Sequence, residues 1–157
     1  MSQRILTALP VYNEVSHVAD VLSELQNHTR DILVVNDGST DGTDRVLSNF
    51  PDITVLHHNP NRCYGAALKT AFEYALNQKY DGLVTLDCDG QLQPHLVQQI
   101  AAMVQGPDGP VDMVSGSRYL KQFSGDSIPP IERRQINARI TGCLNEQLRL
   151  SITDAFC

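Results

Sequence analysis

No stretch of this 157-residue chain approaches the ~20 consecutive apolar residues that a membrane-spanning helix requires. Met1-Ser2-Gln3-Arg4 leads straight into a short strand-like run and carries no secretory pattern, which makes the cytoplasm the expected compartment. The four cysteines (Cys63, Cys88, Cys143 and Cys157) include no C-x-x-C pair. That spacing argues against a zinc site and outlines no disulfide framework, so they read as buried or incidental thiols. Positive charge is in short supply. The formal net charge of −6 speaks against a nucleic-acid partner. The glycine signatures of dinucleotide and P-loop sites are both missing.

What is present is unevenly spread. Residues 1–117 carry six Lys/Arg against fourteen Asp/Glu, whereas residues 118–157 carry six against four. An acidic body can hold cations, and a basic end can meet phosphates. A hydrophobic fraction of 41% and a charged fraction of 19% fit one soluble globular domain over residues 1–157.

Apolar, β-branched runs at Ile5–Pro10, Ile32–Asn36, Ile53–His57, Gly82–Asp87 and Val111–Ser115 read as strands buried on both faces. Helical stripes lie between them. Val15, Val18, Val21, Leu22 and Leu25 make one, and Val46, Leu47 and Phe50 a shorter one. Leu68, Ala71, Phe72, Ala75 and Leu76 make a third, and Leu96, Val97, Ile100 and Val104 a fourth. Strict β-α alternation predicts an α/β fold with a Rossmann-like, mostly parallel sheet flanked by helices. Residues 118–130 read as a long polar loop of the kind that serves as a lid. A last helix carries Ile136, Ile140, Leu144 and Leu148 in steps of four, and exposure of that stripe would favour self-association.

In such sheets ligands collect at the carboxyl ends of the strands, and the unusual residues of this chain cluster there. Strand one ends in Pro10-Val11-Tyr12-Asn13-Glu14, and strand two in Asn36-Asp37-Gly38-Ser39-Thr40-Asp41-Gly42. Strand four ends in Asp87-Cys88-Asp89-Gly90-Gln91, and strand five in Ser117-Arg118. In an extended segment Asp87 and Asp89 point the same way, ~6.5–7 Å apart. Two such carboxylates repel unless a cation or donor lies between them. Mg²⁺ or Mn²⁺ takes oxygen ligands and phosphate oxygens together, with Gln91 available as a neutral third. Asp37 is placed to accept a base N–H, while Ser39 or Thr40 is expected to cap the following helix. Glu14 and Asp20 suit a helix's first turn. His57-His58 closes strand three without a third metal ligand nearby. Asn61-Arg62 and Gly65 open a helix where phosphate or base could approach. Arg118, Arg133 and Arg134 offer phosphate-matching forks near the polar loop.

Taken in order, Ala8-Leu9-Pro10-Val11-Tyr12-Asn13-Glu14, Val35-Asn36-Asp37-Gly38-Ser39-Thr40-Asp41-Gly42-Thr43 and Leu86-Asp87-Cys88-Asp89-Gly90-Gln91 resemble glycosyltransferase family 2. Within it the chain is similar to the dolichyl-phosphate mannose synthase and polyprenyl-phosphate glycosyltransferase branch. The resemblance implies an A-type glycosyltransferase fold and an inverting enzyme. It further implies a UDP- or GDP-sugar donor, Mg²⁺ or Mn²⁺, and a polyprenyl-phosphate acceptor at the cytoplasmic membrane face. It implies that Pro10, Tyr12, Glu14 and Asp37 hold the nucleoside, and that Asp87, Asp89 and Gln91 hold the diphosphate and its metal. Arg118 resembles a phosphate-binding arginine, and Arg133 and Arg134 resemble arginines that meet the acceptor phosphate. Asp154 or Asp89 is the expected general base. Thr153-Asp154-Ala155-Phe156-Cys157 resembles the start of a stretch that continues into Gly-Phe and a basic residue, so the acceptor side is expected to be incomplete. Three rivals stand beside this reading. A phosphatase-like D-x-D-G hydrolase would carry its motif on strand one. A nucleotidyltransferase would want a glycine-rich basic loop there. A non-catalytic nucleotide-binding module would show no sugar transfer.

Overall fold

The computed structural model describes residues 3–89, 94–104, 111–117, 119 and 130–155. The chain divides into two compact units, Met1–Gly106 and Pro107–Cys157.

The first unit alternates strands and helices: β1 Ile5–Val11, α1 Val18–Leu25, β2 Ile32–Asn36, α2 Thr43–Leu47, β3 Thr54–His57, α3 Tyr64–Asn77 and β4 Gly82–Thr85. A 3₁₀ turn, Pro94–Leu96, then leads into α4, Val97–Met103. The described strands form one sheet in the order β3-β2-β1-β4, and every pairing is parallel. β1 is central. Its Val11 is in register with Asn36 and its Ala8 with Thr85. The chain winds outward through β2 to β3, then crosses back to set β4 on the other side of β1. The order therefore reverses beside the C-terminal end of β1, where open α/β sheets bind ligands.

Side-chain parity sorts the core. Leu9 and Val11 of β1, Ile32 and Val34 of β2, and Val84 with Leu86 pack with α1, Leu47 of α2 and Val97 of α4. Leu6, Ala8, Leu33 and Val35 face the other way and pack with Ala67, Ala71 and Ala75 of α3. Alanine at every fourth position lets α3 lie close to the sheet. The apolar stripe expected on this helix is thereby rotated, because the small residues take the sheet side and leave Phe72 and Leu76 exposed. α1 buries Val18, Val21, Leu22 and Leu25 as its spacing predicts, but Val15 lies before the helix and is exposed.

Thr7 sits at the centre of β1, opposite Ile32 and Val84, and is fully buried. Its hydroxyl is the one buried side-chain polar atom among the described residues without a hydrogen-bond partner. An unmet buried hydroxyl costs more than an apolar group of the same shape. Thr7→Val should therefore stabilise the protein by about 1 kcal/mol, which thermal or urea denaturation would detect. A lower midpoint would show that the hydroxyl is needed.

In the second unit the expected strand Val111–Ser115 is not formed. Residues 111–117 have no regular structure, and Val111 and Met113 are exposed. A short apolar run becomes a strand only where a pleated neighbour buries it, and this one has none among the described strands. The last helix, α5, spans Ile131–Leu148. Ile136, Ile140 and Leu148 are exposed and Leu144 is half-buried, while Asn137 and Thr141 are buried. The buried face of α5 is thus partly polar, the reverse of the expected pattern. Its partners explain why. Asn145 accepts from the Ile152 N–H at 3.0 Å and donates to the Ile152 carbonyl at 2.9 Å, and Asn137 accepts from the Ala155 N–H at 3.1 Å. Thr141 donates to Asn137 at 3.2 Å. The side chains at 137, 141 and 145 form a ladder that holds the returning segment, on which Asp154 is buried. Most of the expected 118–130 loop lies outside the described residues.

Candidate active site

Parity carries past the strand ends. Asp37 continues the Leu33–Val35 series, so it falls on the α3 side of the sheet, where it is buried. One carboxylate oxygen, Oδ1, takes two bonds there. The backbone N–H of Arg62 donates to it at 2.9 Å, and His58 Nδ1 lies 2.5 Å away. The other ring nitrogen, Nε2, is 2.9 Å from the Thr70 hydroxyl of α3. His58 is itself buried. Asn36 pairs with His57 at the end of the β2–β3 ladder, and one more step sets His58 beside Asp37. Gly38 makes the approach of the 60–62 segment possible. Its φ is +74°, and a Cβ on it would lie 2.7 Å from the Asn61 backbone nitrogen.

The β1–α1 and β2–α2 loops are bolted together. The Asn13 N–H donates to Ser39 Oγ at 2.9 Å, and the Thr40 N–H donates to Asn13 Oδ1 at 2.8 Å. The Glu14 N–H donates to Thr43 Oγ1 at 3.0 Å, and the Val15 N–H to Asp41 Oδ2 at 3.0 Å. Neither Ser39 nor Thr40 caps α2. The helix starts after Gly42, at φ 98°, and Asp41 Oδ1 accepts from the Thr43 N–H at 3.0 Å and its hydroxyl at 2.6 Å. Left-handed Gly42 turns the chain so that the residue before it, not Ser39 or Thr40, reaches the helix start. These bonds hold Tyr12 exposed and Glu14 half-buried just beyond β1, with Pro10 buried at its end.

Burial raises the Asp41 pKa, but the bonds from Thr43 and Val15 outweigh it and leave the carboxyl below its ordinary value. A depressed folded-state pKa gives stability that is present above the unfolded value and lost as pH falls through the folded one. Asp41→Asn should therefore flatten the loss of stability below about pH 4. Urea titrations across that range would show it, and an unchanged acid limb would contradict it.

After β4, Leu86 and Cys88 are buried while Asp87 and Asp89 are exposed, which is the alternation of an extended segment. The Leu86 N–H still donates to the Ala8 carbonyl at 3.0 Å, so the ladder runs one residue past the strand. The two aspartates share a side, as their spacing predicts. The Cys88 thiol beneath them is pushed up to about 12, first by burial and then by the charges of Glu14, Asp89 and Asp87. The charges of three carboxylates from two strand ends therefore act on one buried thiol. The Tyr64 hydroxyl, at the start of α3, donates to Asp87 Oδ1 at 2.9 Å. Burial, then that bond and the charge of Asp87, raise it to about 12, so it stays a donor near neutral pH.

This donor set is hard oxygen throughout. Among the described residues no three His, Cys, Asp or Glu side chains are grouped to hold a metal ion. Mg²⁺-type sites do not require such a cage, since one or two carboxylates plus substrate phosphates and water complete them. The exposed acid pair fits that type. Gln91 and Arg118 lie outside the described residues. Arg133 and Arg134 are exposed in the first turn of α5, where cations oppose the helix dipole. Among the described residues neither has an acidic partner.

Pro10, Tyr12, Glu14, Asp37, Asp87 and Asp89 thus lie together at one sheet edge, with β1 between the other two strand ends. Arg133, Arg134 and Asp154 belong to the second unit. Sequence reasoning missed His58, Thr70 and Tyr64 as partners of the aspartates. Parity supplied a signal for His58, but only once the β2–β3 register is known.

Comparison with known proteins accords with this layout. Residues 7–156 match the family model for glycosyl transferase family 2. The chain is 35% identical over 121 residues to an undecaprenyl-phosphate mannosyltransferase of Micrococcus luteus, covering 73% of this chain and 48% of that protein. It is 32% identical over 126 residues to a polyprenol monophosphomannose synthase of Mycolicibacterium smegmatis, covering 76% and 46% respectively. It is 30% identical over 118 residues to a UDP-N-acetylglucosamine–dolichyl-phosphate N-acetylglucosaminyltransferase of Methanococcus voltae, covering 64% and 46%. The chain spans about half the length of these relatives. An α/β unit with a parallel sheet, acids at its ligand-binding edge and a family match over nearly every residue lead to one assignment: the chain belongs to glycosyl transferase family 2.

Proposed function

We propose that the chain is the donor-binding part of an inverting glycosyltransferase that moves a sugar from a UDP- or GDP-sugar to a polyprenyl phosphate. One observation carries the reading: Asp37 and the Asp87/Asp89 pair stand at the ends of β2 and β4, flanking β1 where the strand order reverses. That layout suits a nucleotide, with its base at Asp37 and its diphosphate at the acid pair. Pro10, Tyr12 and Glu14 line the path between them. The names of the relatives, which include polyprenyl and dolichyl phosphate, support the acceptor class.

In the reaction an acceptor oxygen attacks the anomeric carbon as the bond to the diphosphate oxygen breaks, and the electron pair leaves with the nucleoside diphosphate. A single displacement inverts the centre. A phosphate acceptor is already ionised and needs little base help. For a hydroxyl acceptor, Asp89 or Asp154 would take the proton. A divalent ion such as Mg²⁺ or Mn²⁺, held by Asp87, Asp89 and Gln91, would supply positive charge against the diphosphate. Arg118 would add to that charge, and Arg133 and Arg134 would meet the acceptor phosphate. No helix among the described residues is long and apolar enough to cross a membrane. In this reading it is the polyprenyl-phosphate acceptor that brings the protein to the cytoplasmic membrane face.

The test combines UDP- and GDP-sugars, Mn²⁺ and undecaprenyl phosphate with the chain, and also with a form extended to the length of its relatives. Lipid-linked sugar of opposite anomeric configuration, suppressed by chelator, is the expected product of the extended form. Retained configuration would overturn the mechanism. Nucleotide binding without transfer by either form would favour a non-catalytic module.

A further inference from the structure

The Asp37–His58–Thr70 chain has no part in the reaction as described, yet it joins three buried or half-buried polar groups beneath the expected base site. As a carboxylate, Asp37 can only accept hydrogen bonds, so His58 Nδ1 must carry the proton it shares with Oδ1. In the neutral ring that leaves Nε2 to accept from the Thr70 hydroxyl, 2.9 Å away. The Arg62 N–H takes a second place on the same Oδ1 at 2.9 Å. Both lone pairs of Oδ1 are then occupied by the protein. Oδ2 receives no hydrogen bond from the described residues and is not among their buried unpartnered atoms.

We propose that His58 is a positioning residue that, with the Arg62 N–H, occupies Oδ1 of Asp37 and leaves Oδ2 alone to read the ligand, so that the site selects a base with one ring N–H. A uridine-type base presents a single N–H on its pairing edge. A guanine presents two donors side by side, which call for both carboxylate oxygens at once. The inference rests on the reading of Asp37 as the base acceptor. Thr70 fixes the ring from behind, because a histidine free to turn could not hold Nδ1 on Oδ1.

The test measures UDP and GDP affinity by calorimetry, at one Mn²⁺ concentration, for the parent chain and three variants, each first checked for an unchanged far-UV spectrum. The amide nitrogen of asparagine occupies the place of Nδ1, and that of glutamine the place of Nε2. His58→Asn should therefore keep the Asp37 contact, and His58→Gln should lose it. The parent chain and His58→Asn should prefer UDP by tenfold or more. His58→Gln should lower UDP affinity about tenfold and bring the ratio to within threefold of unity. Thr70→Val, which does not alter the residue touching Asp37, should fall between them if His58→Gln fails to fold. Equal ratios in all folded variants, or a parent chain that prefers GDP, would overturn the proposal. Asp37→Ala separates the two readings. If it leaves uridine affinity intact, Asp37 is not the base acceptor. If it abolishes uridine affinity while the His58 variants match the parent, only the role of His58 fails.

Discussion

Asp89→Ala should remove the metal dependence of nucleotide binding and leave the fold in place. Asp89 is exposed beyond β4, outside both core clusters, so its loss costs the core little. A ligand present at a hundred times its Kd raises stability by about 2.7 kcal/mol. In the parent chain a nucleoside diphosphate with Mn²⁺ should show such a shift, and chelator should remove most of it. In Asp89→Ala the curves with and without chelator should coincide. Free nucleoside, which has no diphosphate, should bind the two proteins alike. A metal-dependent shift that survives in the variant would place the ion elsewhere.

Among the described glycines, Gly38→Ala should be the most damaging substitution. A φ of +74° costs a side-chain-bearing residue about 1–2 kcal/mol. The added Cβ would also lie 2.7 Å from the nitrogen and 3.1 Å from the Cα of Asn61, and backbone cannot swing aside as a flexible side chain can. The 60–62 segment must retreat and take the Arg62 N–H away from Asp37. We expect a loss of about 3 kcal/mol in stability and at least a tenfold loss of base affinity, about 1.4 kcal/mol. Gly65→Ala is the control, because a Cβ there meets nothing within 4 Å. Chemical denaturation and calorimetry would read both. A Gly38→Ala protein with parental stability would mean that the two loops are not in contact.

How far these effects could be foreseen differs from element to element. The runs Ile5–Val11 and Ile32–Asn36 are apolar along their whole length, and only strands covered on both faces need that. Their ends were equally legible, since acids directly after apolar runs have no role in a core. Val111–Ser115 has a similar composition, but a strand depends on neighbours that composition does not reveal. α5 misled for a related reason. Hydrophobic periodicity registers Ile136, Ile140 and Leu144 but is blind to a polar ladder of the same spacing at 137, 141 and 145. The cap of α2 turned on the left-handed backbone of Gly42, which puts Asp41 at the helix start in place of either expected residue, Ser39 or Thr40. The His58–Asp37 bond spans 21 residues and exists only in one strand register.

The nucleotide should lie across the ends of β1, β2 and β4 on the α3 side. Backbone amide shifts of the isotopically labelled chain, followed while UDP and Mg²⁺ are added, test it most directly. The largest changes should fall at residues 11–14, 37–40, 58–64 and 86–89, with little change at the opposite sheet edge around Arg4, Asp31 and Asp81. Shifts confined to that opposite edge, or to α5, would contradict it.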